Sequence, residues 1–537
     1  MPELSLATKK LIRQYQNLYL ADQPKEGLIG IHVDEIASKL ATLYEQIRKV
    51  VDWREEHLMK RIAIERILKR RMFLLNDSEG AAEPFVMELI RGGHLPNDQI
   101  EKSKVKKVQK AIDKYSHILK NLPPPPKNKN KSQFYTHILS IAACEVEEIF
   151  SSAARQQADA LIEYEENLMI SRIKIGRRAA RLLEGMEDDT KATLVYIGVQ
   201  EALFSLDPPI ITYNLLKRKY QDWNSPSDEH LREWTEGIYR ILDDIDRQFN
   251  HPLADKIYNL CELYDTPCLL LGDVIAEDPF GIVEKISEPE ELEKLIKKAY
   301  DRRLKTLKKR SVKAATLSTV SIFASNVVSL YGLEFPFAKY VMGNINVWAA
   351  IFDIVGPTVL MFLMAGTIKL PKRSNLQLVL DEVGKNVYED AKKDVYEVEL
   401  YPKRSWFFRL IIGLLYIGSF FVSFGSIIWI LRQFDYPPLS YCLLIMFTAL
   451  IMYTGLKIRQ KARELHVTPK KETVFSIIFD PFAMPVVYLG RHLSSWWKRY
   501  NIIGVAFNLL LDTPFLTFVE FIEQWRYFLK EQKDKIH

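Results

Sequence analysis

Four stretches in the second half of the chain are almost free of charge: 313–333, 347–368, 409–431 and 439–456. Each is close to the roughly 20 apolar residues that a helix needs to cross a bilayer. A backbone in hydrocarbon must satisfy its own hydrogen bonds, so runs of this length are read as α-helices and not as strands or loops. The chain averages, 26% charged and 48% hydrophobic over 537 residues, resemble an ordinary soluble protein. They are the mean of two unlike halves. Up to about Arg310 the chain is dense in Lys, Arg, Asp and Glu and carries no long apolar run.

Flanking charge orients the spans, because Lys and Arg favour the cytoplasmic side. Arg302, Arg303, Lys305, Lys308, Lys309, Arg310 and Lys313 precede or open the first span, and Lys369, Lys372 and Arg373 follow the second. Lys403, Arg404 and Arg409 precede or open the third, and Lys457, Arg459, Lys461 and Arg463 follow the fourth. The intervening "LEFPFAKYVMGNIN" and "RQFDYPPLS" are short and nearly uncharged. The pattern predicts two hairpins in the cell membrane with both termini cytoplasmic. The N-terminus has no apolar core of signal-peptide length, in keeping with a cytosolic polar half. A net charge of +6, much of it beside the spans, favours a membrane-orientation role, and no nucleic-acid partner is expected. The basic cluster 302–313 also suits anionic lipid headgroups.

The polar half reads as all-α. Ile36, Leu40, Leu43, Ile47 and Val50 alternate by four and three within a helix over 32–75. A short helix with Pro84 near its start closes at Gly92-Gly93, and a basic helix covers 98–121. "PPPPKNKNKS" at 123–132 reads as a linker, giving helical subdomains 1–122 and 133–286. A long helix is predicted from Phe134 to about Ile173, with others at 189–206, 228–247 and 252–264. Ser287, Pro289 and Glu290 resemble a capping box that opens a basic helix, 287–312, running on into the membrane domain 313–456. The cytosolic connection 371–405 carries an amphipathic helix through Leu376, Val379, Val383 and Val387, then "DVYEVELY", which alternates like a strand.

The tail, 457–537, holds two similar segments. In each an aliphatic run leads to an acid (Asp480 or Asp512), a proline and an aromatic-rich helix. An acid before proline predicts a helix start there. Trp496, Trp497 and Trp525 are the expected interfacial anchors of two amphipathic helices lying on the membrane.

The phosphate-loop, dinucleotide, zinc-protease and serine-hydrolase signatures are all missing, so no catalytic residue, metal or cofactor is assigned. Of the four cysteines none forms a C-x-x-C pair, and His251, Cys261 and Cys268 lack zinc-ligand spacing. The acidic runs Glu145/Glu147/Glu148 and Glu163/Glu165/Glu166 lack the histidine of a di-metal helical site and read as solvated helix faces.

One acid, Asp353, stands inside a span, where ionisable groups mark candidate functional sites. It lies 16 residues from Lys369, about 24 Å along a helix, and Ser329 lies equally far from Lys313. Asn326 and Ser329 are therefore its expected partners across the first hairpin. Ser321, Ser325 and Ser329 also form a small-xxx-small row that suits close helix contact. Pro357, four residues after Asp353 and next to Gly356, removes the hydrogen bond to the Asp353 carbonyl and predicts a kink. Two readings of function follow. One is a multi-pass membrane protein whose cytosolic helical module binds protein partners as a scaffold. The other is an oligomeric channel or transporter, as a homo-oligomer, with the Asp353 cluster near its path.

Overall fold

A computed structural model describes residues 3–21, 31, 56–72, 80–126, 130–180, 187–337, 339–340, 347–366, 371, 373–389, 394–400, 405–433, 438–467, 474–500 and part of 517–532. The predicted helix 32–75 lies outside the described residues except for its last part, Glu56–Arg70.

The chain is all-α. In order the elements are α1 Leu6–Ala21, α2 Glu56–Arg70, α3 Ala82–Arg91, α4 Lys102–Lys120, α5 Lys131–Phe150, α6 Ser152–Arg172, β1 Ile173–Ile175 and α7 Arg177–Ala180. Then come α8 Glu187–Phe204, α9 Pro208–Lys219, α10 Asp228–Phe249, α11 Ala254–Cys261, α12 Asp265–Glu277, α13 Ile282–Ile286 and α14 Pro289–Ser329. A π turn, Leu330–Glu334, prolongs α14 into the short α15 Phe335–Phe337. The remainder are α16 Val347–Gly366, α17 Arg373–Val387, β2 Tyr396–Val398, α18 Trp406–Arg432, α19 Pro438–Lys461 and α20 Val474–Tyr500.

Two compact units result, one of Met1–Glu288 with Gly384–Leu400 and Ala506–His537, the other of Pro289–Val383 with Tyr401–Val505. In the first, local signals set the helix ends. Asn130 caps α5 by accepting from the Ser132 N–H at 2.9 Å, and Ser227 caps α10 by accepting from that of His230. Pro208 opens α9, where its missing N–H costs nothing. The predicted helix from Phe134 to Ile173 is broken at Ser151, whose backbone (φ −117°, ψ 32°) is not helical, so α5 and α6 are separate rods. The proline segment lies within one compact unit. Val108, Ile112, Ile118, Ile138, Ala142 and Leu216 share one core across it, and the Tyr135 hydroxyl donates to the Leu119 carbonyl at 2.9 Å.

"DVYEVELY" supplies β2, which pairs in parallel with β1, Ile173 opposite Tyr396. The segment holding it is stitched into the same unit at several points. Ser5 N–H donates to the Val387 carbonyl (2.9 Å), Arg172 to Asn386 Oδ1 (2.6 Å) and the Tyr388 hydroxyl to the Ile286 carbonyl (2.8 Å).

Ser287 does not open α14. Its backbone is helical, and its hydroxyl donates back to the Val283 carbonyl at 2.7 Å, closing α13, so α14 starts at Pro289. In the second unit α14 packs on α16, and α19 packs on α16 and α20. Among the described residues three helices are long and apolar enough to cross a membrane: Pro289–Phe337, Trp406–Trp429 and Ser440–Lys461. The apolar stretch Ile351–Gly366 is shorter. Buried Asn375 ties the polar ends together, donating to the Tyr300 hydroxyl (3.2 Å) and the Leu465 carbonyl (2.5 Å).

The tail differs from expectation. Asp480–Pro481 is not a helix start, since α20 runs unbroken through Pro481 and Pro485. One flank of this helix is held against α18 and α19: Val486 is buried with Phe424 and Ala449, and Ser423 Oγ donates to the Phe482 carbonyl at 2.7 Å. A Cβ added to Gly490 would run into the Ala449 carbonyl, so glycine is what permits this approach.

Candidate functional site

The second unit exposes many large apolar side chains, among them Val328, Phe362, Phe408, Leu415, Phe421 and Trp429. Its buried positions include Ser311, Ser318, Asn326, Ser329, Glu334, Asp353, Ser419 and Ser440. Along α14 the small or polar residues Ser311, Ala315, Ser318, Asn326 and Ser329 recur at helical spacing on one buried seam, with Ile322 packed in an apolar cluster between Ser318 and Asn326.

The π turn carries that seam on to Glu334. In an α-helix a residue five beyond Ser329 would point about 140° away, onto the outer surface. The wider π turn absorbs roughly one extra residue and brings Glu334 inward. Glu334 is 8% exposed, Asp353 7% and Ser440 2%. Ser440 Oγ donates to Glu334 Oε2 at 2.8 Å, and the Asp353 carboxyl lies beside both groups. Three helical segments thus meet at one polar knot: the end of α14, α16 and the start of α19.

Asn326 and Ser329, the partners expected for Asp353, are both buried in the seam but do not bond to it. Both ends of the Asn326 amide, Ser329 Oγ and Asp353 Oδ1 have no hydrogen-bond partner. The groups that lie beside Asp353, Glu334 and Ser440, were missed from sequence. Glu334 looked like a loop acid, and only the π turn makes it face inward. A usable signal was there, since one acid sits just past the C-terminal end of the first apolar run and another near the N-terminal start of the second. Antiparallel pairing would set them together.

Pro357 lies within α16, which continues from Val347 to Gly366 without a break. A Cβ on Gly356 would press on the Phe352 ring, so this turn is tightly packed from its own preceding residues.

The basic cluster presents Arg302, Lys305, Lys308, Lys309, Arg310 and Lys313 to solvent, with Arg303 half-buried, while Leu307 and Ser311 face inward. Trp525 is exposed in a row with Phe521 and Phe528, ring centroids 6.4 and 6.2 Å away. Trp496 and Trp497 fall in the last turn of α20, and their side chains lie outside the described residues.

The acidic runs in the first unit are not simply solvated faces. Glu145 is buried in an ion pair with Lys114, Glu148 pairs with Lys217 at 2.8 Å, and Glu166 pairs with Arg218 at 2.7 Å. Glu165 is fully buried, and burial, with Asp265 beside it, holds its carboxyl well above the usual range. These acids are packing elements that tie α5 and α6 to their neighbours. Among the described residues no group of His, Cys, Asp and Glu could hold a metal ion. No protein-family model matches the chain, and no curated protein or solved structure matches it either.

Proposed function

We propose that the chain is a multi-pass integral membrane protein that fixes a helical, partner-binding module to the cytosolic face of the cell membrane. The observation that carries this reading is the band of exposed aromatic and aliphatic side chains along the long apolar helices of the second unit, with polar side chains such as Asn326, Glu334 and Asp353 buried between helices. Water penalises that arrangement, whereas lipid favours it and forces polar groups to the helix–helix seam. In this reading α14, α16, α18 and α19 are four spans in two hairpins with both termini inside. The exposed basic run of α14 then meets anionic headgroups, and the aromatic row at Trp525 lies at the interface. The module's partners are proteins, supported by an exposed apolar patch of Tyr19, Leu20, Phe280 and Val283 on the first unit.

Single-cysteine labelling in intact cells tests the topology. A Tyr340→Cys variant reacts with a membrane-impermeant maleimide from outside, and Lys308→Cys only after permeabilisation. The opposite pattern, or extraction of the protein by alkaline carbonate, overturns the reading. Purification in mild detergent with chemical cross-linking tests the partners. Recovery of the chain alone from native membranes removes the scaffold role.

A further inference from the structure

The polar knot asks for an explanation that close packing does not supply. Small residues such as Ser311, Ala315, Ser318 and Ser329 let helices approach one another, and alanine would serve as well. Two carboxyl groups would not be chosen for that purpose. We propose that Glu334 and Asp353, with Ser440, form a proton-binding site at the head of the polar seam of α14, in which the two carboxyls share a proton. The proposal rests on the membrane reading above.

The hydrogen-bond inventory leads there. An ionised carboxylate only accepts, so a direct Glu334–Asp353 hydrogen bond requires a proton on one of them. Ser440 has one hydroxyl proton, and it donates that proton to Glu334. The contact between the two carboxyls closes only when the site is loaded. Emptied, it would hold two negative charges side by side with no ion-pair partner.

Among the described residues no basic side chain of α14, α16 or α19 stands at the knot, and Arg432, at the end of α18, is exposed. Between Ala314 and Glu334 the only other titratable side chain is Tyr331, which points outward. Asp353 is the only ionisable residue of α16, and from Pro438 to Thr454 α19 carries only Tyr441, Cys442 and Tyr453. Lys339, beyond the knot, is exposed and stacks over Tyr340. A proton is the cation that neutralises the pair without needing a coordination cage. The seam provides the approach. Ser329 Oγ stands one π turn before Glu334, and the Asn326 amide nearly one turn further, 97% buried with both ends unpartnered. Packing alone leaves such groups without a purpose, and burying them unsatisfied is unfavourable. On the way to a proton site they supply hydrogen-bonding stations.

The test uses the full-length protein in liposomes and dicyclohexylcarbodiimide, a hydrophobic reagent that modifies protonated carboxyls within lipid. Peptide mass spectrometry is expected to find the adduct on Glu334 or Asp353 and not on solvent-facing Asp301. Above its midpoint the yield should fall about tenfold per pH unit, equally in sodium and in choline chloride. In Glu334→Gln the amide donates to Asp353 and removes the neighbouring acid, so the midpoint should move down by about one unit or more. Ser440→Ala, a small change that preserves packing, should move it as well. Absence of adduct between about pH 5 and pH 9, or an unchanged midpoint in both variants, overturns the proposal. Suppression of labelling by sodium at constant pH overturns it in favour of a metal-cation site. Failure of the topology labelling sinks the membrane reading itself. Success there with no adduct sinks only the proton site.

Discussion

The buried pair Lys114–Glu145 gives the sharpest test of how the first unit is held together. Both side chains are under 5% exposed. Lys114 Nζ donates to Glu145 at 2.8 and 2.6 Å and to the Trp223 carbonyl at 2.7 Å, so all three of its protons are used. The Tyr115 hydroxyl donates to the same carboxylate at 2.9 Å and accepts from Trp223 Nε1 at 3.2 Å. The ammonium also stands over the Tyr115 and Trp223 rings, 4.8 and 5.1 Å from their centroids. Burial lowers the Lys114 pKa and raises that of Glu145, and each partner offsets the other's shift. Lys114→Met leaves Glu145 buried without its cation and orphans the Trp223 carbonyl, a loss of about 3–5 kcal/mol. Lys114→Met with Glu145→Leu removes both charges and should cost far less, within about 1–2 kcal/mol of wild type. Hydrogen exchange of the α4 and α5 amides in the full-length protein reads this directly. The single variant should speed exchange by a factor of about 10²–10³, and the double variant should restore most of the protection. A double variant as damaged as the sum of its singles would show no coupling between the charges and refute the reasoning.

Burial raises Glu147 from 4.5 to about 7, so the folded form prefers the acid. Its stabilising contribution is full below pH 4.5 and is lost as the pH rises through about 7, up to roughly 3 kcal/mol before discounting for its partial exposure. Glu147→Gln should therefore raise the urea midpoint at pH 8 and leave it nearly unchanged at pH 4. Gly490→Leu forces α20 away from the Ala449 carbonyl, and cross-linking between cysteines placed at Val486 and Phe424 should fall about tenfold, the effect of roughly 1–3 kcal/mol of overpacking. Replacing Lys305, Lys308 and Lys309 by Gln removes about 1 kcal/mol of headgroup attraction per residue, so retention of anionic lipid on purification should drop.

What the sequence made legible depended on composition more than on position. The apolar runs stand out because lipid selects the character of a whole segment, and α18 and α19 begin and end within a few residues of the predicted 409–431 and 439–456. Events decided by a single backbone step were not legible. Ser151 breaks a helix whose flanks are both good helix formers, and Ser287 sits in a cap-like context yet closes the preceding helix. The two prolines of α20 read as a start signal because isolated propensity cannot weigh the packing of Val486 and Gly490 that holds the helix together through them. The acidic faces of α5 and α6 looked solvated because the basic partners, Lys114, Lys217 and Arg218, come from distant parts of the chain.

The candidate site was half legible for the same reason. Asp353 is conspicuous because its neighbours along the chain are apolar, whereas Glu334 is conspicuous only in space. That difference bears on what the pair is for. A lone buried acid could serve locally as polar glue in a helix loosened at Pro357, and sequence alone favours such a structural role. A second acid brought to it by a widened turn cannot do that work, because two carboxylates repel unless a proton joins them. A π turn is itself an unusual feature, often found where function and not packing sets the geometry. If packing were the whole role, Glu334→Gln with Asp353→Asn would keep every contact, remove the repulsion and leave a more stable protein with nothing lost. The presence of two acids at this place is explained when the site must both hold a proton and release it.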